Sequence, residues 1–415
     1  MRRIFITMAV FRRKKHLALF LGSLIAFVIV FVIMLLLVAS VLVVSTPFLL
    51  IKKMVKVKRS IKPRIIRGPV PIISIKYNSE AERLYGYKSD TIVYSVYHIN
   101  QKGDFDYVLS LSFHNPFSLF IPYITFIWVI WNYDVFQFFF NGGFLARTPL
   151  KKLELPLLKF LGKKIVVCPY GSDVHLPSKI KSKYGFADTF VKDGYQVDEN
   201  KVHKNIAYFS KYADYIITFA TLADSMPRWD SAFHYIPIEL EEWQPVYCRG
   251  GSGKVRIVHA PNHRALKGTQ YLIDACELLK REGYQIELVI VERKANIEAR
   301  KIYESADIIA AQFIGGGPGL FEIEAMALGK PVLCYLREDF FKYHKSWAEI
   351  PIVNTNPDNL KENLVKLIEN PELRLELGKK GRAFVEKYHS YEYIGGIFDK
   401  IYRKLWFGED VTIDV

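Results

Sequence analysis

The chain has 415 residues, half of them hydrophobic, and a formal net charge of +15. That length allows two or three domains with ample core. Residues 1–67 hold 14 Lys/Arg and no Asp or Glu, and the remaining residues carry only one net positive charge. A high pI is the footprint of nucleic-acid binding when it is spread over a folded surface, but here it flanks an apolar stretch, which argues against nucleic acid as a partner.

That stretch is Leu17 to Ile51, 35 residues without a charge. A hydrocarbon core needs about 20 helical residues, so a perpendicular helix would overshoot by about 20 Å at ~1.5 Å per residue. A tilted span and a helical hairpin both absorb the excess. Basic clusters flank it, Arg12-Arg-Lys-Lys15 on one side and Lys52, Lys53, Lys56, Lys58 and Arg59 on the other. Such clusters stay on the cytoplasmic side and rest on anionic headgroups. A cleaved signal peptide has a much shorter apolar region. Residues 1–67 are therefore expected to be a membrane anchor with the large domains cytoplasmic. Cys168, Cys248, Cys276 and Cys334 make no CxxC pair and no zinc spacing, which predicts free core thiols and no metal.

After the anchor, Pro71–Tyr77 alternates like a buried strand, and Ser79–Leu84 reads as a helix. Strands are predicted at Thr91–Tyr97, Tyr107–Ser112, Val135–Phe140, Ile165–Pro169 and Tyr215–Thr218, with helical segments between several of them. This alternation predicts a parallel α/β sheet. The uncharged aromatic stretch 117–133 reads as a buried core helix, with a membrane-dipping surface as the alternative. Residues 238–254 end in a Gly/Ser run and mark a hinge. A second α/β series follows, with strands at Val255–His259, Glu287–Val291, Ile308–Ala310 and Pro331–Tyr335 and helices at Gln270–Arg281 and Asn359–Glu369. Tyr391–Trp406 closes the chain as an amphipathic helix with Ile394, Phe398, Ile401 and Leu405 at helical spacing. The predicted architecture is α/β: a doubly wound domain over 68–240, a second over 241–390, and a terminal helix and tail over 391–415. A ligand cleft between two such domains is the default expectation.

The most informative motif is Gly315-Gly-Gly-Pro-Gly319 before Leu320-Phe-Glu-Ile-Glu-Ala-Met-Ala-Leu-Gly-Lys-Pro-Val332. Glycines that free backbone N–H groups, followed at once by a helix N-terminus, suit an anion. Glu322 and Glu324 open that helix. Between the first strand of the second domain and its first helix lies His259-Ala-Pro-Asn-His-Arg-Ala-Leu-Lys-Gly268. There Asn262, Arg264 and Lys267 sit at the cleft mouth, the last two offering a fork and a point charge to a diphosphate. In the first domain, Asn141-Gly142-Gly143 is a tight turn after a strand. Tyr170-Gly171-Ser-Asp173-Val-His175 is a polar turn after another. Asp104-Phe-Asp106 precedes a strand rather than ending one, so it reads as a solvated turn and not as a metal site.

The Glu324-to-Val332 segment resembles the donor signature of the group 1 (family 4) glycosyltransferases, which have the GT-B fold. The resemblance covers roughly residues 70–405. It implies transfer, with retention, of a sugar from a nucleotide-diphosphate donor, used as co-substrate with no further cofactor. It assigns the donor phosphates to Arg264, Lys267 and the loop of Gly315, Gly316, Gly317 and Gly319, with Asn262 beside them. Glu324 takes the nucleotide ribose. It also implies a final helix that crosses back onto the first domain. Two positions depart from the pattern. The first Glu of the family's spaced pair falls at Gly316, leaving Glu322 as a nearby substitute, and the family's His falls at Tyr170. Gly171 and Asp173 remain, the latter an expected partner of an acceptor hydroxyl, with His175 as a replacement imidazole. The anchor implies a lipid-linked or cell-surface glycan acceptor. The rival readings are a non-catalytic nucleotide- or glycan-binding membrane scaffold on the same fold, and a sugar-nucleotide epimerase.

Overall fold

The computed structural model describes residues 61–413 apart from 98–99, 111–115, 181–182, 193–196, 249–252 and 344–345, together with the isolated positions Val32, Ser40 and Pro47. The expected membrane anchor at 17–51 thus lies outside the described residues. Among the described residues no helix is long and apolar enough to cross a membrane.

Two parallel sheets organise the chain. The first comprises β1 (Ile65–Arg67), β2 (Ser89–Val93), β3 (Tyr107–Val108), β4 (Val135–Phe138), β5 (Lys164–Val167), β6 (Tyr215–Thr218) and β7 (Ser231–Ala232). Their spatial order is β3-β2-β1-β4-β5-β6-β7. The helices between them are α1 (Ser74–Leu84), α2 (Ile121–Asn132), α3 (Glu154–Phe160), α4 (Phe186–Lys192) and α5 (Glu199–Tyr212). The central strands β1, β4 and β6 are buried at every residue, as expected where helices cover both sheet faces. One face packs on α2, α3 and α5 through Phe126, Val129, Leu155, Leu158 and Phe209.

The second sheet comprises β8 (Val255–His259), β9 (Ile286–Ile290), β10 (Ile308–Ala310), β11 (Val332–Cys334) and β12 (Val353–Asn354), in the order β12-β11-β10-β8-β9. Its helices are α6 (Arg264–Lys267), α7 (Thr269–Arg281), α8 (Asn296–Glu304), α9 (Leu320–Ala327), α10 (Ser346–Glu349), α11 (Leu360–Glu369) and α12 (Pro371–Tyr388). In both sheets the winding reverses beside the first strand, between β1 and β4 and between β8 and β10. Ligands in such sheets bind outside the carboxyl ends of the strands at that reversal.

The last helix, α13 (Tyr391–Tyr402), returns to the first domain. Its Ile394, Ile397, Phe398 and Ile401 share a core with Ile65, Val135 and Val166. Tyr402 reaches a buried polar network. In it Arg67 donates to Glu82 at 3.0 and 2.5 Å, Ser89 donates to Glu82 at 2.6 Å, and Gln137 donates to the Tyr402 hydroxyl at 2.8 Å. The chain crosses between domains twice, and the two crossings are bonded to each other. Ile238 N–H donates to His389 O at 2.8 Å, and His389 Nδ1 donates to Ile236 O at 2.9 Å.

Three expectations are corrected here. The first strand is Ile65–Arg67, within the segment assigned to the anchor, and Pro71–Tyr77 is not a strand: a loop follows Gly68-Pro69 and α1 begins at Ser74. The alternating Ile residues there are divided between that loop and a helix whose buried face is largely small and polar, Ser74, Asn78, Ser79 and Ala81. Residues 238–248 are no loose hinge, because Trp243 is buried in the second domain and Val246 N–H donates to Leu328 O at 2.9 Å.

Candidate functional site

At the reversal of the second sheet, the loop after β8 meets the loop after β10. His259, at the end of β8, is wholly buried. Its Nδ1 lies 2.7 Å from Ala310 O and its Nε2 2.8 Å from Thr269 Oγ1. A carbonyl only accepts, so Nδ1 carries the proton and Nε2 accepts from threonine. Burial lowers the imidazole pKa to about 4, so the ring is neutral. It fixes β8, β10 and the start of α7 in one piece. Phe313 N–H closes the same corner by donating to Lys267 O at 3.1 Å.

Lys267 is half-buried in this corner, and no carboxylate among the described residues pairs with it. Its carbonyl accepts Phe313 N–H from the loop after β10, which sets the residue at the carboxyl ends of β8 and β10. Arg264, by contrast, is exposed and forms a fork on Glu292, at 2.8 and 2.7 Å. Asn262 is exposed beside it.

The glycine loop lies opposite. Gly316 has φ +85°, and a Cβ there would fall 2.4 Å from Arg337 Cγ. The family's glutamate cannot occupy this position while Arg337 holds its place. That arginine ion-pairs with Asp339 at 2.6 Å and lies 3.6 Å from Asp224 of the first domain. Thr221 abuts Gly317 and Phe186 abuts Gly315, so residues of the first domain cover this turn. Tyr184 donates across the cleft to Asp358 at 2.7 Å.

The helix start behind the loop is α9. Gly319 N–H donates to Glu322 Oε2 at 2.8 Å, and the Glu322 carboxylate is wholly buried. This corrects the expectation that Glu322 substitutes for the family's first Glu: it caps its own helix. Glu324 lies on another side of α9. Burial, reinforced by neighbouring Glu322, raises its pKa to about 8, against a bond from Asn296 and the charge of Arg300.

The first-domain turns are also placed by buried carboxylates. Glu154 accepts Phe144 N–H at 2.7 Å and Leu145 N–H at 2.9 Å. A Cβ at position 143 would fall 2.4 Å from its Oε2, so only Gly143 lets that carboxylate approach. Asp173 accepts Tyr170 and Gly171 N–H, both at 3.0 Å, and Phe140 N–H at 3.1 Å. Burial raises both carboxyls to about 7. Asp173 is therefore a positioning residue, joining the turns after β4 and β5. Its oxygens are spent on backbone, which corrects the expected bond to an acceptor hydroxyl. The side chains it presents are Tyr170 and Asn141, whose amide donates to the Tyr170 hydroxyl at 2.6 Å. Gly142 is buried in this turn. His175 packs edge-on against Phe186, with ring centroids 6.1 Å apart, and burial lowers its pKa to about 4.

Sequence reasoning thus missed Glu154, His259 and Arg337. His259 was visible at the end of a strand. Glu154 gave no signal beyond one acid among lysines. Asp104 and Asp106 are tied to Gln101 N–H and Thr91 N–H, 2.7 and 2.8 Å away. Among the described residues no group of acidic, His and Cys side chains has metal-holding geometry.

Comparison with known proteins fits this geometry. Residues 280–395 match the family described as Glycosyl transferase-like. A stretch of 121 residues is 30% identical to an uncharacterised glycosyltransferase of Methanocaldococcus jannaschii, covering 28% of this chain and 33% of that protein. The match thus spans a third of the curated relative. Sucrose-phosphate synthase from Thermosynechococcus elongatus superposes with a TM-score of 0.55 at 14% identity, covering 84% of this chain and 100% of that one. HepE of Anabaena, solved in complex with UDP, gives 0.53 at 11% identity over 81% and 99%. A glycosyltransferase from Rickettsia africae gives 0.51 at 12% identity over 84% and 100%. At such identities the superpositions establish the fold, which is GT-B. Residues 280–395 of this chain are thus similar in sequence to glycosyltransferases, and the chain that carries them has the GT-B fold.

Proposed function

We propose that the whole protein is a membrane-anchored glycosyltransferase that moves a sugar from a nucleotide-diphosphate donor to a lipid-linked or cell-surface glycan acceptor, with retention. The observation that carries this reading is Lys267, a half-buried residue in the turn at the sheet reversal whose ammonium has no carboxylate partner among the described residues. A cation kept there without a counter-ion suits an anionic ligand, and stabilising the diphosphate leaving group is electrostatic catalysis. The UDP found in HepE supports a nucleotide as that ligand.

In this reading Lys267 faces the donor phosphates, and Arg264 joins it by leaving Glu292. The neutral His259 keeps the loop rigid without adding charge. Glu324, largely protonated at neutral pH, meets the ribose hydroxyls as a hydrogen-bonding group rather than an anion. Tyr170 and Asn141 line the acceptor side. The apolar, basic-flanked residues 1–67 tether the enzyme to the cytoplasmic face of a membrane, as their sequence implies.

The test is donor turnover by detergent-solubilised protein, offered a panel of nucleotide sugars with native membrane lipid. Release of nucleoside phosphate from one donor, lost in Lys267→Ala, is expected. Nucleotide binding without turnover across the panel would favour a non-catalytic scaffold, and no nucleotide binding would end this reading.

A further inference from the structure

Helix α2 has no charged residue, and a helix apolar all round is ordinarily buried on every side. Here one side only is covered. Phe126, Val129 and Ile130 enter the core of the first domain. Ile124, Trp128 and Trp131 form a stripe at helical spacing on the other side and are 57%, 38% and 38% exposed. Two tryptophans and an isoleucine side by side form a contiguous apolar patch of the kind that marks an interaction surface.

Two neighbours of this stripe indicate what meets it. At the end of α2, Arg64, ion-paired with Asp134 at 3.2 Å, donates from its guanidinium to Trp131 O at 3.3 Å. The stripe therefore begins where the chain arrives from its apolar, basic-flanked first 60 residues. Midway along α2, Thr125 shares a hydrogen bond with the Tyr94 hydroxyl, which donates to Phe144 O at 3.0 Å. Just beyond Phe144 the chain exposes Arg147, Lys151 and Lys152. Glu154 is the only acid between 135 and 172, and it is buried. An apolar stripe with tryptophans, on a domain that also exposes this short basic segment, suits the interface of an anionic bilayer, where indole rings sit at headgroup depth and basic side chains meet the phosphates.

We infer that the α2 face of the first domain, Ile124, Trp128 and Trp131 together with Arg147, Lys151 and Lys152, docks on an anionic lipid surface. This rests on the membrane reading above and extends it, because the globular domain itself, and not only a tether, contacts the bilayer. The turn carrying Asn141 and Gly143 immediately precedes the basic segment. Docking would therefore hold the acceptor side of the cleft at headgroup level, within reach of an acceptor embedded in lipid.

All four native cysteines are buried, so full-length Ile124→Cys can be labelled selectively with an environment-sensitive fluorophore. Ile297→Cys, at an equally exposed site on α8, serves as the reference. Both are bound to phosphatidylethanolamine–phosphatidylglycerol vesicles that contain nitroxide-labelled acyl chains. The inference expects strong quenching at 124 and none at 297. The quenching should weaken in phosphatidylcholine vesicles and in the Lys151→Glu/Lys152→Glu background. Protein that floats with the vesicles yet shows no quenching at 124 would overturn the docking face and leave the tether standing. Shielding at 124 that grows with protein concentration and ignores lipid would replace the bilayer with a second copy of the chain. Protein that fails to float would overturn both readings.

Discussion

The two sides of the cleft are built by opposite means. On the first-domain side, buried carboxylates gather backbone: Asp173 accepts three N–H groups and Glu154 two. Charge there is consumed in shaping turns. On the second-domain side the turn after β8 is held by a neutral ring, His259 fixed between Ala310 and Thr269, and the charge of Lys267 in that turn is left without a carboxylate among the described residues. The difference teaches that an acid in a cleft motif and a base in a cleft motif carry unequal information. Here the acids are framework, and in the proposed function the lysine is the group that meets a ligand.

The largest effect expected from this contrast is on folding. Asp173→Ala would leave buried N–H groups unsatisfied at about 1–3 kcal/mol each, so thermal melts should show a loss of about 3 kcal/mol or more. Lys267→Ala should do the reverse. Its melting curve should match the parent, while donor turnover falls by about 10²–10³-fold, the scale for losing one preorganised electrostatic partner. A melting defect in Lys267→Ala, or full activity, would break the comparison.

Glu324 sharpens it by pH. Its folded pKa, about 8, lies above the ordinary carboxylate value. The folded state therefore holds the proton more tightly, and the stabilisation is complete below the unfolded pKa and lost as pH rises through the folded one. Melting temperature should decline between about pH 5 and pH 8, and the decline should be shallower in Glu324→Gln. The smallest effect belongs to Tyr170→Phe, which removes the hydroxyl that accepts from Asn141. A single hydrogen bond of about 0.5–1.5 kcal/mol should appear as a change of roughly two- to tenfold in acceptor KM, with donor binding unaltered.

Much of the second domain was legible in its sequence. The strands at Val255–His259 and Ile308–Ala310 stand where the apolar runs placed them, because continuous β-branched residues between turn signals leave few alternatives. The first domain was harder to read at its start. Ile65–Arg67 is too short to give a period, and its arginine belongs in sequence to the basic flank although it is buried against Glu82. Ser74–Leu84 buries small polar residues, so no apolar stripe announced that the helix read at Ser79–Leu84 begins already at Ser74. Within the candidate site, residues placed by chain position, such as Lys267 after β8, could be located from spacing. Those that act by long-range approach, such as Arg337 against Gly316 and Glu154 against Gly143, could not, since only the folded chain brings them together.

The return of α13 has a consequence for biosynthesis. Ile394, Phe398 and Ile401 complete the core around β1 and β4, and Tyr402 completes the polar network of Arg67 and Glu82. Domains generally fold in the order in which they leave the ribosome. Here the first domain made is the last one finished, because its hydrophobic face stays uncovered until the whole second domain has been translated. During that interval the growing chain exposes an apolar sheet face, and it is then that chaperone demand and aggregation should be greatest.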